Sequence, residues 1–206
     1  MPAGRTVYVL EDDEPVRRSL ERLLRSAKFE PVTFEHPDAF LMAAKTIKAG
    51  CLLLDIRLQG MNGLEVQQHL NRIRRDLPVI VVTAQGDIQT VVHAMKAGAI
   101  DFLEKPYSDR ALLGSIEMAF ATDRQSDYND EVADAALRIG GLSPRERQVL
   151  DGLMDGHSNK VIAYNLGLSV RTVEVHRARM MDRLGTRQLA QALRLRIMSR
   201  LNRLTG

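Results

Sequence analysis

The segment CLLLDIRLQGMNG, Cys51 to Gly63, runs three leucines straight into Asp55 and then into a loop closing on Asn62-Gly63. An isolated charge at the edge of an apolar core is costly unless something pairs with it. Asp55 therefore either caps a turn or belongs to a site that needs its charge. The strand before it is apolar on successive residues rather than alternate ones, the mark of a strand covered on both faces. Similar runs recur at TVYVL (6–10), PVTF (31–34), PVIVVT (78–83) and AIDFLE (99–104). Helical patterns lie between them. Val16, Leu20, Leu23, Leu24 and Ala27 share one helix face, and Val91, Met95 and Ile100 bracket another helix with Gly98 at its end. Five strands alternating with five helices predict an α/β fold with a doubly wound parallel sheet.

In such sheets function sits beyond the carboxyl ends of the strands. The first strand ends in Glu11-Asp12, the third in Asp55, the fourth in Thr83 and the fifth in Lys105. Three carboxylates converging in one crevice repel unless a cation lies between them, and all-oxygen ligands suit a hard ion such as Mg2+. A lysine and a hydroxyl beside that ion would neutralise the oxygens of a phosphoryl group. The pattern predicts a pocket that phosphorylates a carboxylate, with Asp55 as nucleophile. Taken singly, each residue has a plainer reading as a turn former or surface group. Their joint placement at four strand ends argues for the site.

The totals bound the rest. A chain of 206 residues with 45% hydrophobic and 27% charged content fits one large globular domain or two small ones. No apolar run approaches the roughly 20 residues of a membrane span. Glu11-Asp12-Asp13 interrupts the N-terminal apolar stretch, so no signal peptide is expected. The single cysteine, Cys51, reads as a small buried hydrophobe, which fits a reducing cytoplasm. Residues 1–124 carry 16 Lys+Arg against 17 Asp+Glu, residues 125–141 one against four, and residues 142–206 twelve against five. A near-neutral first part joined to a compact basic second part predicts two domains, the second meeting a polyanion.

That second part shows no strand signal. SPRE (143–146) offers an N-cap serine, a proline at the first helical position and a glutamate completing a capping box. The helix it opens should turn Val149, Leu150, Leu153 and Met154 inward. Asp155-Gly156-His157-Ser158 stops it, and Ser158 caps the next helix, NKVIAYNL. Gly167 breaks that one; Ser169 caps a third, reaching about Leu184, and a fourth spans roughly 187–201. Between the two parts, TDRQSDYNDEVADAALRIGG is polar and acidic and reads as a linker continuing the last helix of the first part. The expected boundaries are 1–122, a linker over 123–140, and 141–206.

VLEDDEPVRRSL, LLLDIRLQGMNG, VVTA and FLEKP match, in order and spacing, the motifs of a two-component response regulator receiver domain. The resemblance covers residues 5–122 and implies a flavodoxin-like fold in which Asp55 accepts phosphate from a sensor histidine kinase. It further implies that Glu11 and Asp12 bind Mg2+ with Asp55 and the Arg57 carbonyl. By the same resemblance Thr83 and Lys105 contact phosphoryl oxygens, Phe102 is an aromatic switch residue, and Lys105-Pro106 is a cis peptide. The family's spacing of two acids, four residues and an arginine, counted back from Arg17, implies Glu11 and Asp12 as the acid pair and leaves Asp13 as a helix cap or solvent residue. Two details are particular to this chain. Gln59 stands where the family usually has proline, and Arg57 and Gln85 occupy the two variable positions that influence phosphate lifetime. Haloacid-dehalogenase-type phosphatases also use a nucleophilic Asp after a strand, but they need a second Asp two residues later. Here that residue is Arg57, so an enzyme of sustained hydrolysis is not expected.

LSPRERQVLDGLMDGHSNKVIAYNLGLSVRTVEVHRARMMDRLG resembles the LuxR-type helix-turn-helix over residues 140–201, a second domain that is all-α with four helices. On its third helix Val173, Met180 and Leu184 face inward, while Arg171, Glu174, Val175, Ala178, Arg179 and Asp182 face outward. Small and apolar groups among charges suit a helix lying in the major groove of double-stranded promoter DNA. Glu174, Val175 and Ala178 are expected at base edges, and Lys160, Arg171, Thr172 and Arg177 at phosphates, the last by resemblance. Together the two parts resemble the FixJ/NarL class of transcription regulators. This implies a cytoplasmic phosphoprotein that forms a homodimer when phosphorylated, and it admits RNA polymerase as a further partner. The alternative is a constitutive DNA-binding regulator whose receiver serves only dimerisation or ligand binding.

Overall fold

The computed structural model describes residues 5–73, 76–84, 86–121 and 125–201; Gln85 lies outside them. The element order is β1 (Thr6–Leu10), α1 (Glu14–Ser26), β2 (Glu30–Phe34), α2 (Pro37–Ala43), β3 (Gly50–Asp55), α3 (Gly63–Ile73), β4 (Val79–Thr83), α4 (Ile88–Lys96), β5 (Asp101–Glu104) and α5 (Asp109–Ala121). It continues through five helices: α6 (Gln125–Gly140), α7 (Pro144–Met154), α8 (Asn159–Leu166), α9 (Val170–Leu184) and α10 (Leu189–Leu201). The chain divides into two compact units, residues 1–86 with 97–123 and residues 87–96 with 124–206.

In the first unit the strands form one parallel sheet in the order β2-β1-β3-β4-β5. This is the expected flavodoxin-like doubly wound sheet. β1 and β4 are buried at every residue, whereas the edge strand β2 is buried at none. Continuous apolar runs need helices on both faces, and β1 and β4 carry them. Leu20 and Leu24 of α1 enter the core beside Val7, Val9, Leu53 and Ile80, with Val16, Leu23 and Ala27 packed against it. The helix face read from sequence is thus the packed face. Cys51 is buried within the sheet, and burial pushes its thiol up to about 12, so it behaves as an unreactive hydrophobe. Arg5 lies over the stacked rings of Phe29 and Phe120 and forks onto Glu117 at 2.8 and 2.6 Å.

The second unit shows the expected caps. Ser143 and Glu146 form the reciprocal capping box of α7, and the Ser158 and Ser169 hydroxyls accept N–H bonds at the starts of α8 and α9. Gly167 closes α8 with φ +64°, a conformation that favours glycine. The polar stretch read as a linker is helical over Gln125–Gly140. Its Val132, Ala135 and Ile139 are buried, and the first two pack with Met198 and Leu195 of α10. Arg194 of α10 pairs with Glu131 at 3.0 Å. No described helix is long and apolar enough to cross a membrane.

Candidate functional site

Parallel register builds the pocket. Leu10 pairs with Leu54, so the next residues, Glu11 and Asp55, leave adjacent strands side by side. Asp55 pairs with Val82 and Thr83 with Glu104, which brings Thr83 and Lys105 to the same end of the sheet. The Lys105 amide donates to the Thr83 carbonyl at 2.7 Å and fixes that junction. Glu11, Asp55 and Thr83 are buried, exposing 3%, 6% and 1% of their surface, while Asp12 and Lys105 are part-exposed. Lys105 Nζ donates to Glu11 Oε2 at 2.7 Å and to Asp55 Oδ2 at 2.6 Å. The other Asp55 oxygen, Oδ1, accepts the Arg57 amide at 3.0 Å.

One ammonium between two buried carboxylates leaves the pocket with net negative charge. Burial, together with the neighbouring Asp55 charge, raises the Glu11 pKa despite the Lys105 hydrogen bond. For Lys105, burial works against the charge, but bonding to Asp55 and Glu11 outweighs it and raises the ammonium pKa. The lysine marks a point where two acid oxygens converge on a cation. With Asp12 and the Arg57 carbonyl nearby in sequence the donor set is all-oxygen, which suits Mg2+.

Asp12 is placed differently from the other two acids. Its Oδ2 accepts the main-chain N–H of Gln59 at 3.1 Å. Among the described residues, no three acids form a group able to hold a metal ion. The structure therefore brings Glu11, Asp55, Thr83 and Lys105 together, while Asp12 is bound to the β3–α3 loop. Asp13 caps α1 by accepting the Val16 amide at 2.9 Å, as expected. Arg17, which served in the sequence only to set the register, donates to the Glu11 and Asp12 carbonyls at 2.7 and 3.1 Å and to Glu35 at 3.1 Å. Phe102 is buried on β5, and Lys105-Pro106 is cis.

In the second unit, α8, the glycine turn and α9 form the helix-turn-helix. Val173, Met180 and Leu184 are fully buried, so the stripe expected to face inward does so. Lys160, Arg171, Glu174, Val175 and Ala178 are exposed, and Thr172 and Arg177 are half-buried. The Thr172 and Ser169 hydroxyls share a hydrogen bond at 2.8 Å. Arg177 reaches Asn159 of α8 at 3.5 Å, so it braces the two helices as well as lying near the exposed face. Arg179 is exposed too, a cation the sequence reading put on this face without a role.

The chain matches the response regulator receiver domain family over residues 7–117 and the luxR family of bacterial regulatory proteins over residues 141–196. It is 41% identical over 200 residues to the transcriptional regulatory protein FixJ of Azorhizobium caulinodans, covering 97% of this chain and 95% of that one. Identity to FixJ of Bradyrhizobium diazoefficiens is 40% over 190 residues, covering 92% and 93%. The crystal structure of full-length FixJ from B. japonicum shares 38% identity with a TM-score of 0.58, covering 95% of this chain and 97% of that one. One family spans the sheet, the other spans the helix-turn-helix, and FixJ proteins match almost from end to end; the chain belongs to the response regulators of the FixJ class, in which a receiver domain controls a LuxR-type DNA-binding domain by phosphorylation.

Proposed function

We propose that Asp55 is the phosphoacceptor of this receiver and that a sensor histidine kinase is its donor. The observation that carries the reading is the Lys105 ammonium shared between Asp55 Oδ2 and Glu11 Oε2 at the carboxyl end of the sheet. An Asp55 oxygen attacks the phosphorus of a phosphohistidine; a P–O bond forms, the P–N bond breaks, and the histidine leaves as neutral imidazole once protonated. Lys105 follows the developing charge onto a phosphoryl oxygen, and the Thr83 hydroxyl donates to another. Glu11, Asp12, Asp55 and the Arg57 carbonyl would hold Mg2+, with Asp12 turned towards the other two acids, and the ion would supply positive charge against the phosphoryl oxygens. As Thr83 and Lys105 close on the phosphoryl group, Phe102 turns in its pocket and the receiver gains a dimerising face.

Residues 1–122 act as receiver and 141–206 as DNA-binding domain, with 123–140 between them, in the cytoplasm. A homodimer sets two α9 helices on paired half-sites of double-stranded promoter DNA. Glu174, Val175 and Ala178 read base edges, while Lys160, Arg171, Thr172 and Arg177 hold phosphates. This reading also admits RNA polymerase as a further partner at the promoter.

The test is light scattering after gel filtration, with Mg2+, before and after adding beryllofluoride, a mimic of the phosphoryl group. The wild type should pass from monomer to dimer and Asp55→Asn should not. A size that does not change in the wild type, or a shift that survives in Asp55→Asn, would overturn the reading.

A further inference from the structure

We infer that Tyr164 of α8 is a further DNA contact of this chain, its phenol hydroxyl donating to a backbone phosphate beside the groove that α9 enters. The inference deepens the proposed function and rests on α9 lying in the major groove. Exposure singles the residue out. Of the eight large apolar or aromatic side chains exposed among the described residues, four lie on the helix-turn-helix: Val161, Tyr164, Val170 and Val175. Tyr164 leads them at 87%, against 41% for Val161 and Val170 and 43% for Val175. A thymine methyl suits Val175, but an aliphatic group has nothing to offer a phosphate. Tyrosine joins an apolar ring to a hydroxyl donor, and tyrosine side chains are among the regular partners of phosphate oxygens.

The helix places that hydroxyl beside a cation. Tyr164 follows Lys160 by four residues, so the two stand about 40° apart on one exposed stripe of α8. Ile162 and Ala163 turn inward and are buried. The helix, NKVIAYNL, contains no acid, so nothing on it repels a polyanion that approaches the stripe. α8 is also tied to α9. Arg177 of α9 reaches Asn159 Oδ1 at 3.5 Å. The Gly167 amide donates to the Tyr164 carbonyl at 3.3 Å and the Leu168 amide to the Ala163 carbonyl at 2.9 Å. The main chain at Tyr164 is thus locked into the turn that leads to α9, while its ring projects into solvent. In a helix-turn-helix whose second helix occupies the groove, the first crosses the sugar-phosphate backbone. The Lys160–Tyr164 stripe is the exposed part of that first helix.

The experiment compares wild type, Tyr164→Phe and Lys160→Ala, each as the full beryllofluoride-treated chain, by anisotropy. The probes are a duplex selected from random sequence and the same duplex carrying single methylphosphonates. Tyr164→Phe should weaken binding about fivefold, the size of one partly solvated hydrogen bond. The hydroxyl carries no charge, so the salt slope should stay as in wild type, whereas Lys160→Ala flattens it. At one phosphate in each half-site, methylphosphonate should cost the phenylalanine variant less than wild type, because the hydroxyl that met that phosphate is already gone. Its melting temperature should equal that of wild type, which separates lost contact from lost fold. A Tyr164→Phe variant that binds as tightly as wild type, or that loses equally at every methylphosphonate, overturns the inference. Full DNA affinity with weakened transcription would place the ring against RNA polymerase and overturn it too. If Lys160→Ala flattens the slope while Tyr164→Phe changes nothing, the proposed function survives and only this contact fails. If wild type itself binds DNA without a salt slope, the reading of the helix-turn-helix fails and the inference with it.

Discussion

Glu146 is an acid with 2% of its surface exposed, yet its polar neighbours keep it ionised. Burial alone would raise its pKa. The Ser143 N–H at 2.8 Å, the Ser143 hydroxyl, the Arg183 guanidinium at 3.3 Å and His176 together outweigh burial and hold the carboxyl below its usual range. A carboxyl whose folded pKa lies below its unfolded one stabilises the fold above the unfolded value, near 4.5. That contribution disappears as pH falls through the folded pKa. Glu146→Gln should therefore cost about 1–2 kcal/mol at pH 7, and the gap to wild type should narrow on acidification below about pH 4.5. Urea denaturation followed by circular dichroism across that range measures it. A gap that is constant with pH would show that the charge is not what stabilises the α7 start.

At the scale of elements, two glycines separate crowding from freedom. A Cβ on Gly63, at the start of α3, would lie 2.2 Å from the Asp55 carbonyl oxygen and 2.7 Å from Ile56 Cα. The Gly63 amide also donates to the Ile56 carbonyl at 2.9 Å, so α3 is seated directly on the end of β3. Gly63→Ala should push the helix off the end of β3, cost about 1–3 kcal/mol and reduce dimer formation with beryllofluoride. Gly114 in α5 is exposed and has nothing within 4 Å of such a Cβ. Gly114→Ala should stabilise by about 0.5–1 kcal/mol, seen as a higher melting temperature with the beryllofluoride response intact. The same contrast explains what could be read from sequence. β1, β3 and β4 are continuous apolar runs, so the sheet was legible, and with it the convergence of Glu11, Asp55 and Lys105 at its strand ends. The packing of α6 was not, because over residues 131–140 its buried positions are Val132, Ala135 and Ile139 among polar and acidic neighbours, and that face acquires meaning against α10. Nor could sequence place Asp12 on the Gln59 amide, since a main-chain donor in a loop leaves no trace in residue type.

For the molecule as a whole, the distribution of charge carries the functional argument. Residues 142–206 hold 12 Lys+Arg against five acids, while residues 1–124 are nearly balanced at 16 against 17. Several of the basic residues are engaged within the fold: Arg196 bonds Asp151 at 2.7 Å, Arg183 bonds Glu146, and Arg194 bonds Glu131. Lys160 of α8 and Arg171 of α9 are instead exposed, which leaves them available to phosphates. Each phosphate contact releases counterions, and the slope of log K against log salt falls by about 0.9 per contact. Lys160→Ala or Arg171→Ala should weaken binding uniformly across DNA sequences and flatten that slope by about 1 per half-site. Val175→Ala should leave the slope alone and relax preference at one base position by about 1 kcal/mol, because it removes an apolar contact of the kind a thymine methyl offers. Anisotropy titrations of a duplex selected from random sequence, run with the beryllofluoride-treated chain between about 50 and 200 mM salt, distinguish the two classes. A Lys160→Ala or Arg171→Ala variant that keeps the full slope would remove that cation from the phosphate contacts, and a Val175→Ala variant that loses affinity equally on every sequence would remove α9 from the groove and leave its exposed face as solvated surface.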